Sequence, residues 1–198
     1  MINDVIDILK ESYKKNWITP RDGNISYKYS GSNEFMITPS GLRKQNLNPS
    51  DLIKIEISDK GWKQLNNLDK KPSGEIELHY KILKSVKSDV CVIHLHPTYI
   101  ISAMYAGLNL SDLAKSFPEL SRYTNVANNT ENVPPLSQEL ATQCSSRLLF
   151  DNKLSQFTNN IVGVPNHGIV SIGSDVYEAF EHIERLEHIC SIVLLSKK

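Results

Sequence analysis

Two histidines, His94 and His96, lie at the end of the apolar run Val90-Cys91-Val92-Ile93-His94-Leu95-His96-Pro97. The β-branched content of that run predicts a buried strand stopped by proline. Alternate side chains of a strand share a face, so both imidazoles project the same way, roughly 7 Å apart. One metal ion can bridge that spacing, and a rigid backbone fixes two ligands at little entropic cost while a third arrives from elsewhere. The plainer role for such a pair is a strand end whose rings are satisfied by backbone carbonyls. A third histidine stands in Asn166-His167-Gly168, between two apolar runs. Glycine there allows a backbone conformation that other residues resist, and such a corner can aim a ring inward.

Glu75 opens a predicted helix that follows Ser73, a plausible N-cap, and runs to Val86. The exposed N–H groups of a first helical turn favour a carboxylate, and a simple N-terminal charge is the commoner role of such a residue. His79 shares the Glu75 face at i,i+4, where it supports the helix or braces the carboxylate from behind. Glu77 points elsewhere and reads as solvated. His182 and His188 sit among Glu178, Glu181, Glu184 and Glu187 on the terminal helix, a pattern that reads as a solvated face rather than a metal site. Cys91, Cys144 and Cys190 are an odd set without close spacing, and they read as small buried side chains in a reducing compartment.

The elements that must position these groups follow from periodicity. Met1 to Trp17 has an amphipathic helical pattern with no uninterrupted apolar stretch, so it is neither a signal peptide nor a membrane span. Asn24 to Tyr29 and Glu34 to Thr38 predict a hairpin across the Gly31-Ser32-Asn33 turn. Ile53 to Ile57 alternates as a strand, and Gly61 to Leu65 returns beside it. Thr98 to Tyr105 and Ser137 to Phe150 predict helices, Ile161 to Val164 and Gly168 to Ile172 predict strands, and Ser174 to Leu195 a long terminal helix. Gly107 to Pro135 has no clear period; within it Asn125 to Asn132 is expected as an exposed loop and Ser116 to Pro135, with Tyr123, as the place for substrate-specific contacts. Strands joined by hairpins with helices on both sides predict an α/β fold, a three-layer α/β/α sandwich around a mainly antiparallel sheet.

At 198 residues the chain is long enough for one substantial core, and a single domain over 1–198 is expected. Twenty-two basic residues balance 22 acidic ones, so bulk electrostatics provides no pull toward nucleic acid or a membrane surface.

Five motifs occur in order: Gly23-Asn24-Ile25-Ser26, Ile37-Thr38-Pro39-Ser40-Gly41, Pro72-Ser73-Gly74-Glu75 with His79, His94-Leu95-His96-Pro97, and His167-Gly168. Together they resemble the class II aldolase/adducin family over essentially the whole chain. The resemblance implies a cytoplasmic enzyme, often a homotetramer, that acts on a sugar or sugar phosphate. It implies metal ligation by His94, His96 and His167, general acid/base work by Glu75, and Zn²⁺ as the ion, with Mn²⁺, Fe²⁺ or Co²⁺ as alternatives. It also implies a phosphate site at Asn24, Ser40, Gly41 and Ser73, although Arg21 and Gly74 stand where the aldolases carry small hydroxyl residues.

The expected reaction is aldolase or lyase cleavage of a small phosphorylated ketose or sugar acid through a metal-stabilised enediolate, with Glu75 shuttling the proton. Epimerases, dehydratases and decarboxylases of the same family share that chemistry. The epimerases carry aspartate where Glu75 stands, which favours a lyase. An adducin-type binding module resembles the same fold without the metal histidines, and retention of all three here argues against it.

Overall fold

The computed structural model describes residues 2–154 and 156–196; Met1, Ser155 and residues 197–198 fall outside it, so the first residue of the expected N-terminal helix is not covered. The elements in chain order are α1 (Ile2–Lys14), β1 (Asn24–Lys28), β2 (Glu34–Ile37), β3 (Ile53–Ser58), β4 (Gly61–Gln64), α2 (Ile76–Leu83), β5 (Val90–Leu95), α3 (Thr98–Tyr105), α4 (Leu110–Lys115), α5 (Pro118–Tyr123), α6 (Gln138–Leu148), β6 (Phe150–Asp151), β7 (Gln156–Phe157), β8 (Ile161–Val164), β9 (Gly168–Gly173) and α7 (Val176–Ser196). Seven strands form one sheet in the order β4-β3-β2-β1-β5-β9-β8, with every neighbouring pair antiparallel. Helices cover both faces, giving the α/β/α sandwich expected from the sequence.

Strand alternation divides the core in two. Ile25, Ile93, Leu95 and Ile169 point toward α1, α3 and α7, where Leu9, Ile100, Ile183 and Leu186 meet them. Ile37, Ile53, Val92 and Val170 point toward α2 and α6, against Leu83, Leu140 and Cys144. On β1 the face toward α2 is polar yet buried. Asn24, Ser26 and Lys28 there spend their side chains on α2, with Lys28 Nζ donating to the Leu83 carbonyl at 3.2 Å and also to the Val86 carbonyl at the end of that helix. A cation at the helix C-terminus meets unpaired carbonyls and the negative end of the dipole, so it tolerates burial.

Several expectations for the terminal helix and its neighbours are corrected. His182 is buried at 3% exposure, and its Nδ1 lies 2.8 Å from Thr124 Oγ1. Glu187 is buried too, and its carboxylate accepts from the Tyr99 and Ile100 amides at 3.0 and 2.8 Å, capping α3. Because α7 packs against α1, α3, α5 and the sheet, its covered surface is wider than one stripe and takes in residues that charge patterning assigned to solvent. Glu77 is likewise engaged rather than solvated, accepting from Trp62 Nε1 at 2.7 Å. The segment Asn125 to Asn132 is not a free loop. Val126, Ala127 and Thr130 are buried, and the Ala127 and Thr130 amides donate to the Ile161 and Gly163 carbonyls of β8. The three cysteines are buried free thiols.

Candidate metal centre

The site forms where β1, β5, the β8–β9 turn and the N-terminus of α2 meet. β1 pairs with β5 so that Asn24 lies opposite His94, and β9 pairs on the other side of β5 so that Val170 lies opposite His94. The register therefore brings Asn24 and the start of β9 to the two flanks of one histidine.

His94, the penultimate residue of β5, is fully enclosed, and His96 lies just past the strand, before Pro97 turns the chain into α3. The rings are closer than strand spacing alone predicts: centroids stand 4.8 Å apart and the Nε2 atoms 2.9 Å apart. The reason is that His96 has left the sheet, its amide donating to the Trp17 carbonyl instead of to a neighbouring strand. His167 completes the group, its ring centroid 4.7 Å from that of His94 and 5.2 Å from that of His96. One ring nitrogen from each of the three lies within 4.8 Å of the others.

In the 166–168 corner the glycine plays a different part from the one expected. Asn166 carries the left-handed conformation, with φ 59°. Gly168 is needed for space: a Cβ there would stand 2.3 Å from the Leu95 carbonyl oxygen and 2.7 Å from the His96 ring. Close approach of β9 to the end of β5 is what sets the histidines together.

Two of the donors, His94 and Glu75, are oriented from behind. His94 Nδ1 donates to the Ile169 carbonyl at 2.9 Å, which directs its Nε2 lone pair into the site. Glu75, buried at 4% exposure, places Oε2 3.2 Å from His94 Nε2 and Oε1 3.7 Å from His167 Nε2. Oε2 accepts from Asn24 Nδ2 at 2.9 Å, whereas Oε1 has no hydrogen-bond partner among the described residues. A buried carboxylate oxygen without a partner is costly, and a cation beside it removes the cost. Convergent imidazole nitrogens and an orphaned carboxylate oxygen are the donor set that a borderline dication takes, so these residues fit the implied metal.

Behind Glu75 runs a buried relay. Ser26 Oγ lies 2.6 Å from His79 Nδ1, His79 Nε2 meets Asn24 Oδ1, and the Asn24 amide group donates to Glu75. With Asn24 Oδ1 as acceptor, His79 is the neutral Nε2–H tautomer. Burial holds it neutral, pushing its pKa to about 3. His94 and His96 are also pushed to about 3, chiefly by burial, then by His167 at His94 and by His94 and His167 at His96. These shifts set a sign for stability. An unfolded histidine takes up a proton near pH 6.5 and the folded one does not, so stability is complete above about pH 6.5 and is lost as pH falls toward 3. In the metal-free protein the urea midpoint should drop measurably between pH 7 and 5.5, as the unfolding free energy falls by up to about 1.4 kcal/mol per pH unit for each such histidine. A midpoint constant over that range would show that these rings are not held neutral.

The expected anion-binding residues are only partly assembled. Ser40 and Ser73 line one cleft of ≈ 220 Å³ with Asn24, Glu75 and the three histidines. The isolated bridge between Pro39 and Pro72 brings their two turns side by side. Gly41, at φ 74°, is exposed and does not line the cleft. Asn24 spends one amide hydrogen on Glu75, and the Ser73 hydroxyl accepts from the Glu75 amide at 3.2 Å. Tyr123 also stays outside the cleft of its own chain, between the Arg122 and Arg185 guanidinium groups.

Two lining residues escaped the sequence reading. Lys44 is buried at 2% exposure, its Nζ donating to the carbonyls of Pro39, Arg21 and Leu42 at 3.0, 3.2 and 3.4 Å. Burial lowers its pKa while Asp22 acts in the opposite direction. Its position in a polar stretch, Arg43-Lys44-Gln45-Asn46, carries no signal of burial. The other is Leu136.

Residues 3–194 match the class II aldolase and adducin N-terminal domain family. An L-fuculose phosphate aldolase of Methanococcus maripaludis is 27% identical over 191 residues, covering 96% of this chain and 94% of the relative. A methylthioribulose-1-phosphate dehydratase of Geobacillus thermodenitrificans is 26% identical over 201 residues, covering 96% and 88%. Among solved structures, an L-fuculose 1-phosphate aldolase superposes with a TM-score of 0.79 at 22% identity, covering 99% of this chain and 85% of its own. A sugar-phosphate aldolase from Thermotoga maritima gives 0.78 at 20% identity, covering 98% and 93%.

Proposed function

The chain belongs to the class II aldolase and adducin family, and from that premise we propose that it is a metal-dependent lyase of small phosphorylated ketoses, with His94, His96 and His167 as ligands and Glu75 as the proton carrier. The observation that carries this reading is the buried Glu75 oxygen, without a partner among the described residues, facing three convergent imidazoles. A cation held there would supply Lewis-acid polarisation of a substrate carbonyl oxygen.

The chain's own residues do the rest. Asn24 fixes one oxygen of Glu75 and leaves the other free to take or return a proton at the substrate. The Ser26–His79–Asn24 relay holds that amide in one orientation, so the carboxylate is aimed before substrate arrives. Lys44 ties the Arg21 and Pro39–Leu42 loops together and places a buried positive charge beside Ser40 and Ser73. Among the described residues it has no carboxylate within ion-pair distance, so a phosphate in the cleft supplies the missing countercharge. Lys44→Met is expected to weaken inorganic phosphate binding about tenfold or more by calorimetry, the scale of a hydrogen bond or contact to a charged group, at unchanged zinc content. Equal phosphate affinity would remove Lys44 from the anion site.

Elimination of water from a phosphorylated ketose is the second reading, favoured by the likeness to methylthioribulose-1-phosphate dehydratases. It uses the same proton transfer at Glu75. The deciding experiment incubates zinc-loaded protein with phosphorylated ketoses and sugar acids and follows aldehyde release, water loss, CO₂ release and epimerisation, with a chelated control. Aldehyde release abolished by chelation supports the lyase. Turnover indifferent to chelation would end both readings.

A further inference from the structure

We propose that Glu187 is a positioning residue for the metal centre: from α7 it clamps the N-terminus of α3 and so sets the backbone that carries His96 into the site. The inference rests on the metal-site reading above.

His96 differs from the other two histidines. The His94 ring is held by the Ile169 carbonyl and the His167 ring faces the Glu75 carboxylate. Among the described residues the His96 ring has no such support, and its one hydrogen-bond contact is the His94 ring nitrogen. Where it stands is therefore decided by the backbone on either side. On one side its amide donates to the carbonyl of Trp17, whose ring packs against Phe180 of α7 with centroids 5.4 Å apart. On the other, Pro97 leads straight into α3. Proline has no side-chain acceptor with which to cap the helix it begins. Glu187 caps it instead from α7, its two carboxylate oxygens taking the Tyr99 and Ile100 amides. Both anchors of His96 thus lead to α7, a helix that contributes no ligand.

The clamp is hard to open. Glu187 is 7% exposed and has no cation within ion-pair distance among the described residues. Its buried charge is offset by the α3 amides and the positive end of that helix's dipole. Parting α3 from α7 would leave a buried carboxylate and two amide donors unpaired at once. Between the clamped Tyr99 amide and His96 stand only Thr98 and Pro97. The proline ring fixes its own φ, here −65°, so a shift of the helix end passes on to His96 instead of being absorbed on the way.

The test compares the native chain with Glu187→Gln and Leu148→Ala in two measurements: Zn²⁺ affinity by competition with a chromophoric chelator, and the visible absorption spectrum of the Co²⁺-loaded protein. Glutamine keeps the volume and one carbonyl acceptor but sets an NH₂ group against the second amide. It is expected to weaken zinc binding about tenfold, the lower end of what losing a group behind a ligand costs, and to shift the cobalt bands, which report the geometry around the ion. Leu148→Ala controls for lost stability. It opens a cavity in the other core layer, beside Asn159 and the start of β8, at the far end of that strand from His167. It should unfold at lower urea yet keep the native zinc affinity and cobalt spectrum. Native affinity and spectrum in Glu187→Gln would overturn the role of Glu187 and leave the metal-site reading standing; so would an equal loss of affinity in Leu148→Ala, which would trace the effect to general softening. Glu187→Asp keeps the charge on a stem one methylene shorter and serves if the glutamine variant does not fold: shifted cobalt bands are expected there too, and native bands would overturn the role. Failure of the native chain to bind either ion would defeat the metal-site reading and this inference with it.

Discussion

Glu75→Gln is expected to cut turnover of the zinc-loaded protein at least about a hundredfold while leaving the metal largely bound, the scale of losing a positioned general base. The substitution keeps shape and volume. The glutamine carbonyl can still accept from Asn24 Nδ2, so the bond that orients position 75 survives. What disappears is the basic oxygen, since an amide cannot take a proton near neutral pH. His94 keeps its bond to the Ile169 carbonyl, which does not pass through Glu75. Zinc content by atomic absorption and turnover on a substrate from the ketose screen separate the two effects. Unchanged turnover would remove Glu75 from the mechanism, and loss of zinc with loss of activity would make it a ligand instead of a proton carrier.

The second large effect is expected at the ligands. His94→Ala and His167→Ala should each weaken zinc binding by at least about a hundredfold, since even residues that only orient a ligand cost ten- to a hundredfold when lost. Protein dialysed against limiting zinc should come out essentially empty and inactive. The two variants guard against different failures. His94 is enclosed and holds the Ile169 carbonyl, so its removal leaves a cavity and an unpaired acceptor that disturb the sheet. The His167 side chain is 23% exposed in a turn, so its removal tests ligation with little cost to folding. Equal zinc content before and after His167→Ala, in folded protein, would break the assignment.

Much of the scaffold was legible because hydrophobic periodicity reports burial directly. The alternation of β1 and β3, the apolar run of β5 and the bounds of α3 follow from side-chain pattern with little outside influence. The 107–135 segment was not legible. Its short helices α4 and α5 are one to two turns long, too short to show a period, and its later part is held by single bonds to β8 rather than by a strand pattern. The hairpin of β6 and β7 has two residues per strand and leaves no pattern either.

From the sequence alone came the chemical types of the donors, the strand that carries two of them, the turn that carries the third and the layered architecture around them. Tertiary structure decided what each polar group meets. Asn24 and Glu75 are 51 residues apart, and only the β1–β5 register and the docking of α2 make the amide a brace for the carboxylate. The same holds for Lys44 beneath two loops, for Glu187 capping α3 and for Leu136 over Gly74. The physical reason is that periodicity records whether a face leaves water, a property of each segment by itself, whereas a hydrogen bond or a close contact depends on a partner that another segment delivers.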